Sequence, residues 1–207
     1  MKKCLRFLVI PFFAVIMSGC ATTARITADK MPKLDNPRPE NLTVLANATD
    51  ARRHRSDQVG RQTFSIFMIP TFLVLSDISI DKAVGDVFVT ALKESGYNVE
   101  TIDNIADASG PVLTVQIDSI NNYLFSWVYP LGLTFGKARF TPVLFGNDDK
   151  VLWSGKPASA MGFCPSLLYM CGFDTSLQTE VSSILRDIIQ QINTPEFAEA
   201  ASPHASR

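Results

Sequence analysis

Residues 112–145 read VLTVQIDSINNYLFSWVYPLGLTFGKARFTPVLF, and this stretch decides the fold. It contains two long runs rich in β-branched and aromatic residues, Val112 to Val128 and Leu133 to Phe145, which favour extended strands. Between the runs stands YPLG at 129–132, where proline and glycine suit a turn. The stretch therefore predicts a long antiparallel hairpin.

Shorter strands and two helices flank the hairpin. Extended patterns are predicted over residues 42–48, 63–75 and 97–102 and from 151 towards 161. Apolar residues with a helical period predict one helix from about Ser79 to Gly96 and another from about Asp174 to Ile192. Each helix is apolar on one side only. The predicted fold class is therefore α+β, a two-layer sandwich with two amphipathic helices on one face of a largely antiparallel sheet of about six strands. The other sheet face is then either solvated or a docking surface.

The first 20 residues, MKKCLRFLVIPFFAVIMSGC, are typical of an export signal. Their apolar stretch of about 11 residues is shorter than the roughly 20 that a membrane-spanning helix needs. The segment ends in Met17-Ser18-Gly19-Cys20, which resembles the lipobox of bacterial lipoproteins. That resemblance implies cleavage between Gly19 and Cys20, followed by lipidation of Cys20 with acyl chains such as palmitate, which anchor the chain to a membrane. An ordinary signal peptide with a chance cysteine is the alternative.

This cleavage predicts four parts of the chain. They are a signal peptide at 1–19, a lipidated N-terminus with an extended tether at 20–40, a single α+β domain at 41–197 and a disordered tail at 198–207. The tether is predicted because 21–40 is polar, contains three prolines and has no apolar period. It would hold the domain some tens of ångströms from the membrane. Ala21 resembles the residues that direct lipoproteins of enteric Gram-negative bacteria to the outer membrane, so we expect that location, facing the periplasm.

Charge and cysteine content narrow the function classes. The formal net charge of the chain is −1, and it becomes −4 once three basic residues leave with the signal, so no basic excess indicates nucleic acid. Cys164 and Cys171 are the cysteines left for structure. In an oxidising compartment, with Pro165 and Gly172 favouring a turning path, they predict a disulfide. A metal site and two free buried thiols are the alternatives.

Catalytic and metal-binding groups are scarce in the sequence. The mature chain has two histidines, His54 and His204, and neither stands near a nucleophile or further metal ligands. No phosphate-binding glycine loop, G-x-S-x-G motif or H-E-x-x-H motif occurs. The run Arg52-Arg53-His54-Arg55 could bind phosphate or lipid head groups, but the preferred interpretation is a solvated basic loop. We therefore predict a protein that is not an enzyme and needs no metal or cofactor.

Aromatic and aliphatic side chains are abundant in segments predicted as connections, at 67–73, 123–131 and 163–173. Loops are usually polar because they face water. If the three segments meet at one end of the sheet, they form an apolar interaction surface. Its predicted members are Phe67, Phe72, Phe125, Trp127, Tyr129 and Leu131. The alternative is that the segments bury one another as a small additional core.

The order of these motifs resembles that of YajG-type envelope lipoproteins, a family with a two-layer α/β sandwich. The resemblance is carried by the lipobox at Cys20, a strand running into Asp50-Ala51-Arg52, the segment ALKESGYNV at 91–99 and DDKVLWSG at 148–155. It implies a fold and an envelope location more than an activity. We predict a membrane-anchored, non-enzymatic lipoprotein that binds a partner protein or supports outer-membrane assembly or maintenance. A periplasmic carrier of a lipid or small apolar ligand is the alternative.

Overall fold

The structure is a computed structural model that describes residues 22–53, 57–64, 69–128, 131–167 and 173–202. At its centre is the predicted hairpin, in which β7 (Val112–Val128) and β8 (Leu131–Phe145) pair antiparallel along their length. One extra residue in β7, Asp118, shifts the register in the middle of the hairpin. The predicted hairpin is therefore confirmed, with β8 beginning two residues earlier than expected.

Within the described residues, eight further strands extend the hairpin to a sheet of ten. On one side β7 pairs with β8, which also pairs with the two strands that follow it in the chain. On the other side β7 pairs in succession with the second, third and fourth strands of the chain. The sixth strand pairs with the second, the fifth pairs with the fourth, and the first pairs with the fifth. The eight strands are β1 (Thr22–Ala24), β2 (Asn41–Leu45), β3 (Thr49–Asp50), β4 (Gln58–Phe64), β5 (Ile69–Ser76), β6 (Asn98–Ile102), β9 (Val151–Ser154) and β10 (Ala158–Leu167).

The prediction of about six largely antiparallel strands is wrong in number and in direction. Five strand pairs are parallel, namely β1 with β5, β2 with β6, and β7 with each of β2, β3 and β4. Strands as short as β1 and β3, with three and two residues, have no period that a sequence pattern could show. In addition, the run predicted over 63–75 belongs to two antiparallel strands, β4 and β5, and the run from 151 to 161 is divided between β9 and β10.

Both predicted helices are confirmed, as α1 (Ile80–Glu94) and α2 (Phe173–Ile192). They pack on one face of the sheet, where a single core cluster joins their apolar sides to alternate residues of β7 such as Leu113, Val115 and Ile117. We call this the inner face of the sheet and the opposite side the outer face. A third, short helix, α3 (Pro195–Ala200), was not predicted from the sequence. The Thr194 hydroxyl accepts a hydrogen bond from the Phe197 amide at its start, and the Phe197 ring is fully buried.

The N-terminal segment from residue 22 belongs to the domain. β1 pairs with β5, and Ala24, Ile26 and Met31 are buried in the core cluster. The Met31 amide donates a hydrogen bond of 2.9 Å to the Glu94 carboxylate of α1. The tether predicted over 20–40 is therefore wrong from residue 22 onward, because three isolated apolar anchors in a polar, proline-containing segment leave no periodic signal.

The C-terminal boundary also shifts. Residues 198–200, predicted to begin a disordered tail, continue α3, while 203–207 lie outside the described residues. Among the helices that the structure describes, none is long and apolar enough to cross a membrane.

Candidate functional site on the outer face of the sheet

A line of side chains in register crosses the outer face of five strands. Leu73 of β5 stands opposite Arg61 of β4, which stands opposite Tyr123 of β7. The line continues through Phe135 of β8 to Phe163 of β10. Directly opposed residues on neighbouring strands project from the same face. Four members of this line are apolar. Met161 lies two positions before Phe163 and so projects from the same face of β10. We call these five residues the apolar row: Leu73, Tyr123, Phe135, Met161 and Phe163.

The apolar row is open to water. Its exposed fractions are 48% for Leu73, 41% for Tyr123, 43% for Phe135, 78% for Met161 and 68% for Phe163. The rings of Tyr123 and Phe135 stack with centroids 5.5 Å apart, which orders them without covering them. At about 150–250 Å² for a large side chain, these fractions leave roughly 500 Å² of apolar surface exposed. Arg61 separates Leu73 from the other four members, which still expose a few hundred Å² together, and contiguous patches of this size on a monomer commonly mark interaction sites.

Along β7 and β8, the exposed large apolar side chains lie at one end of the outer face. Near the other end, Val112, Thr114 and Val143 project from the same face of β7 and β8, yet all three are buried. At the open end the next register pair beyond the apolar row is Phe125 with Leu133, and both are half-buried. Along β7 and β8 the outer face is therefore covered at one end. At the other end, where the hairpins turn, it is apolar and exposed to water.

Basic side chains flank the apolar row on the outer face. Arg61 stands within the line, and Lys137 and Arg139 follow Phe135 at alternate positions of β8, all three exposed. The nearby carboxylate of Asp118 already accepts hydrogen bonds from the Thr141 hydroxyl at 2.6 Å and from the Gln116 side-chain amide at 2.8 Å. Apolar and cationic groups thus share one surface in a chain whose formal net charge is −1.

A cleft of about 420 Å³ opens beside Tyr123, where β7 passes from pairing with β3 to pairing with β4. Arg52 lines it, but its guanidinium is held by Asp50, with Nε to Oδ1 at 2.9 Å and Nη2 to Oδ2 at 2.8 Å. Its Nη1 donates to the Gln58 carbonyl oxygen at 3.1 Å. This mostly buried pair ties the end of β3 to the start of β4, so its role is structural.

A buried polar cluster lies on the inner face directly beneath the apolar row. Glu180 of α2 is fully buried, and its carboxylate accepts hydrogen bonds from the Asn122 side-chain amide at 3.2 Å and the Ser176 hydroxyl at 3.3 Å. Burial raises the pKa of Glu180 from 4.5 to about 7, although the hydrogen bonds from Asn122, Ser176 and the Gly162 backbone lower it. This carboxyl group therefore changes charge near neutral pH.

Glycines make room for the Glu180 carboxylate. Gly136 of β8 stands in register between Asn122 and Gly162. A Cβ on Gly136 would collide with the Asn122 amide, and one on Gly162 would collide with the Glu180 carboxylate and the Ser176 hydroxyl. The missing side chains let α2 approach β7, β8 and β10 closely. These strands carry Tyr123, Phe135 and Phe163 on their opposite face, so the cluster lies directly behind the apolar row.

Of the six residues predicted for an apolar surface, Phe125 is the one whose side chain is described, and it is half-buried. Phe72 lies in β5, Trp127 in β7 and Leu131 in β8, and at these positions the structure describes the backbone. Phe67 and Tyr129 lie outside the described residues. The predicted cleavage site Gly19, the predicted lipidation site Cys20 and the predicted disulfide partner Cys171 also lie outside them, so cleavage, lipidation and the Cys164–Cys171 disulfide stay predictions.

The topology does bring the three apolar segments together. Phe64 at the end of β4 pairs with Ile69 and with Ser126, and Leu131 at the start of β8 pairs with Val128 and with Leu167. The ends of β4, β7 and β10 and the starts of β5 and β8 therefore lie at one end of the sheet. Residues 69–73 and 123–128 are strand, as the extended runs predicted over 63–75 and 112–128 require, whereas 163–167 was predicted as a connection and is also strand.

Sequence reasoning missed Phe135 and Met161 as surface residues, whereas Leu73, Tyr123 and Phe163 lie in the predicted apolar segments but were not selected. The signal was present in the alternation of β8, where Thr134, Gly136 and Ala138 are small and face the helices while the large Phe135 and Lys137 alternate with them. A strand with small residues inward and large ones outward reverses the usual pattern, because the polar cluster and α2 occupy the inner side.

No group of three or more His, Cys, Asp or Glu side chains that could hold a metal ion occurs within the described ranges. His54 and His204 lie outside those ranges. The expectations that the protein needs no metal or cofactor and is not an enzyme stay predictions.

Comparison with known proteins identifies the fold. No protein-family model and no curated protein matches the chain. Among solved structures, a Xanthomonas campestris protein described by the family model DUF330 matches with a TM-score of 0.53 at 15% identity, over 83% of this chain and 95% of that one. At this identity the match shows a shared fold and leaves the activity open.

Two further solved structures match less well. A homologue of neuraminyllactose-binding hemagglutinin from Helicobacter pylori has a TM-score of 0.42 at 11% identity, over 87% of this chain and 95% of that one. A lipoprotein from Neisseria meningitidis has a TM-score of 0.33 at 15% identity, over 74% of this chain and 98% of that one. The resemblance to YajG-type lipoproteins is not tested by these matches and stays a prediction.

Proposed function

We propose that this chain is a lipid-anchored, non-enzymatic protein of the bacterial envelope that binds another envelope component through the apolar row. Its anchor is the acylated Cys20, in the outer membrane facing the periplasm, and a Cys164–Cys171 disulfide closes the segment after β10. The observation that carries the proposal is the apolar row, five large side chains from four strands open to water. At about 25 cal/mol per Å², covering roughly 500 Å² is worth at most about 12 kcal/mol before the cost of association.

The alternative of a lipid carrier has less support. A carrier would need an apolar cavity between the helices and the sheet. In the part of the chain that the structure describes, buried side chains of the core cluster occupy this space. The cleft of about 420 Å³ beside Tyr123 opens on the outer face, and a second cleft of about 250 Å³ lies outside the sheet, beside α1.

Metabolic labelling with palmitate tests the anchor. We expect label on the wild-type chain and none on Cys20→Ala, because the thiol of Cys20 is the proposed attachment point. Equal labelling of the two chains, or none on either, would contradict the anchor.

Thiol alkylation without reduction tests the disulfide, and modification of Cys164 in the folded protein would contradict it.

Site-specific photo-crosslinking in intact envelopes tests the binding surface. A photoreactive residue at Met161 should give adducts, whereas the same residue at Val151 should not. Val151 is a matched control, since it is 50% exposed and apolar but lies on β9, away from the apolar row. Absence of adducts at Met161, or equal adducts at both positions, would overturn the assignment of the surface.

A further inference from the structure

The place of β1 in the sheet sets how far the domain can stand from its proposed anchor. Thr22 pairs with Val74, the neighbour of Leu73 in the apolar row. Cys20 precedes Thr22 by two residues, so their Cα atoms are at most about 8 Å apart. An acylated Cys20 would therefore keep this edge of the sheet at the membrane, with no long tether between them.

The direction of β1 relates the anchor to the open end of the outer face. β1 runs parallel to β5, and β5 begins at the end of the sheet where the hairpins turn. β1 therefore also runs away from that end of the sheet. Its first residue, Thr22, is the residue of β1 that lies nearest to the end where the hairpins turn. The apolar row crosses the sheet at the same end.

We propose that the apolar row and its flanking cations lie on the surface of an anionic bilayer, the same membrane that holds the acyl chains of Cys20. This inference rests on the proposed function and names the occupant of the same surface. The acylated Cys20 would lie within about 8 Å of Thr22. The bilayer would therefore have a far higher local concentration near this face than any freely diffusing protein has.

The chemistry of the face fits a lipid surface. Aromatic side chains such as Tyr123 and Phe163 prefer the boundary between head groups and acyl chains. Arg61, Lys137 and Arg139 beside them can extend their charged ends to anionic phosphates while their methylene stems stay on the apolar surface. The anchored chain has a formal net charge of −4, so the three exposed cations beside the apolar row make this face locally complementary to such a surface.

Binding of the unacylated chain to lipid vesicles tests the inference. The chain from residue 20 with Cys20→Ser keeps every described element, and it is mixed with vesicles of phosphatidylethanolamine and phosphatidylglycerol. We expect co-sedimentation that weakens about tenfold or more in Phe163→Asp, because a charge replaces an apolar ring. Val151→Asp, which puts the same charge on another apolar site that is at least half exposed, should bind like the parent chain.

A second variant separates the electrostatic part of the binding. Arg61→Gln combined with Lys137→Gln should weaken binding to these vesicles several-fold, and it should have little effect on vesicles of phosphatidylcholine alone. Thermal unfolding of each variant checks that the fold is intact. Equal binding by Phe163→Asp and Val151→Asp, or no binding by the parent chain, would overturn the inference.

The outcomes also distinguish this inference from the proposed function. If the parent chain ignores vesicles while the photoreactive residue at Met161 captures a protein in intact envelopes, the bilayer is the wrong occupant but the binding surface remains. If Cys20 carries no palmitate, the anchor fails, and vesicle binding by the unacylated chain still decides whether the face recognises lipid.

Discussion

Replacing Glu180 by glutamine should make the protein more stable at alkaline pH. Glu180 is fully buried beneath the apolar row and accepts hydrogen bonds from Asn122 and Ser176. Glutamine has nearly the same shape and carries no charge. The variant therefore removes the cost of a buried negative charge while keeping the packing of α2 against the glycines of β8 and β10.

The size of the effect follows from the pKa of Glu180, which rises from 4.5 to about 7 on folding. Between these pH values the folded protein holds a proton that the unfolded chain has released, so the free energy of unfolding falls as pH rises through this window. At about 1.4 kcal/mol per pH unit, the wild type loses about 3 kcal/mol between acidic pH and pH above 7. The Glu180→Gln variant lacks this loss.

Urea unfolding of both proteins across the window measures the difference. The variant should gain on the wild type as pH rises from about 5 to about 8, and the two should be close at the acidic end. Asp187→Asn, an exposed acid on the same helix, serves as the control and should show no comparable trend. A difference between wild type and Glu180→Gln that does not change with pH would refute the reasoning.

Three further substitutions test the packing. Gly162→Ala should lower the free energy of unfolding by about 1–3 kcal/mol, because the new Cβ collides with Glu180. Gly110→Ala, whose Cβ would meet nothing within 4 Å, should change it little, and equal urea midpoints for the two variants would contradict this. Arg52→Ala should cost about 3 kcal/mol, because it removes the guanidinium that neutralises the mostly buried Asp50 carboxylate, against less than about 1 kcal/mol for Arg25→Ala in the exposed pair with Asp77. Similar losses in thermal unfolding would argue against the distinction. Phe197→Ala should cost about 3–5 kcal/mol because its ring is fully buried, and a neutral result would show that α3 is not part of the core.

Long, periodic elements were predictable because their pattern is local. The hairpin of β7 and β8 has strands of 17 and 15 residues, and α1 and α2 have 15 and 20, so each contains several periods. β1 and α3 are short and were missed, although Ala24 and Phe197 are buried in the core. Their order comes from the surfaces on which they pack, which lie far away in the sequence.

The candidate site was predictable only in outline. The sequence showed an excess of apolar residues in three segments, but it did not determine whether these segments meet at one end of the sheet. It did not show that Phe135 and Phe163 stand side by side, since this depends on the register of β8 with β10. A shift of β10 by one residue would have turned the Phe163 ring towards the helices.

By itself the sequence determined the α+β class, the central hairpin and both long helices, because each rests on composition or periodicity within one short stretch. The export signal stays a prediction. Only the tertiary structure decided that ten strands pair in mixed directions, that residues 22–31 enter the core and that Glu180 lies buried beneath the apolar row. These features depend on contacts between residues distant in sequence, which a local pattern does not encode. For that reason the same chain that was predicted to hold its domain away from a membrane begins its first strand two residues after Cys20.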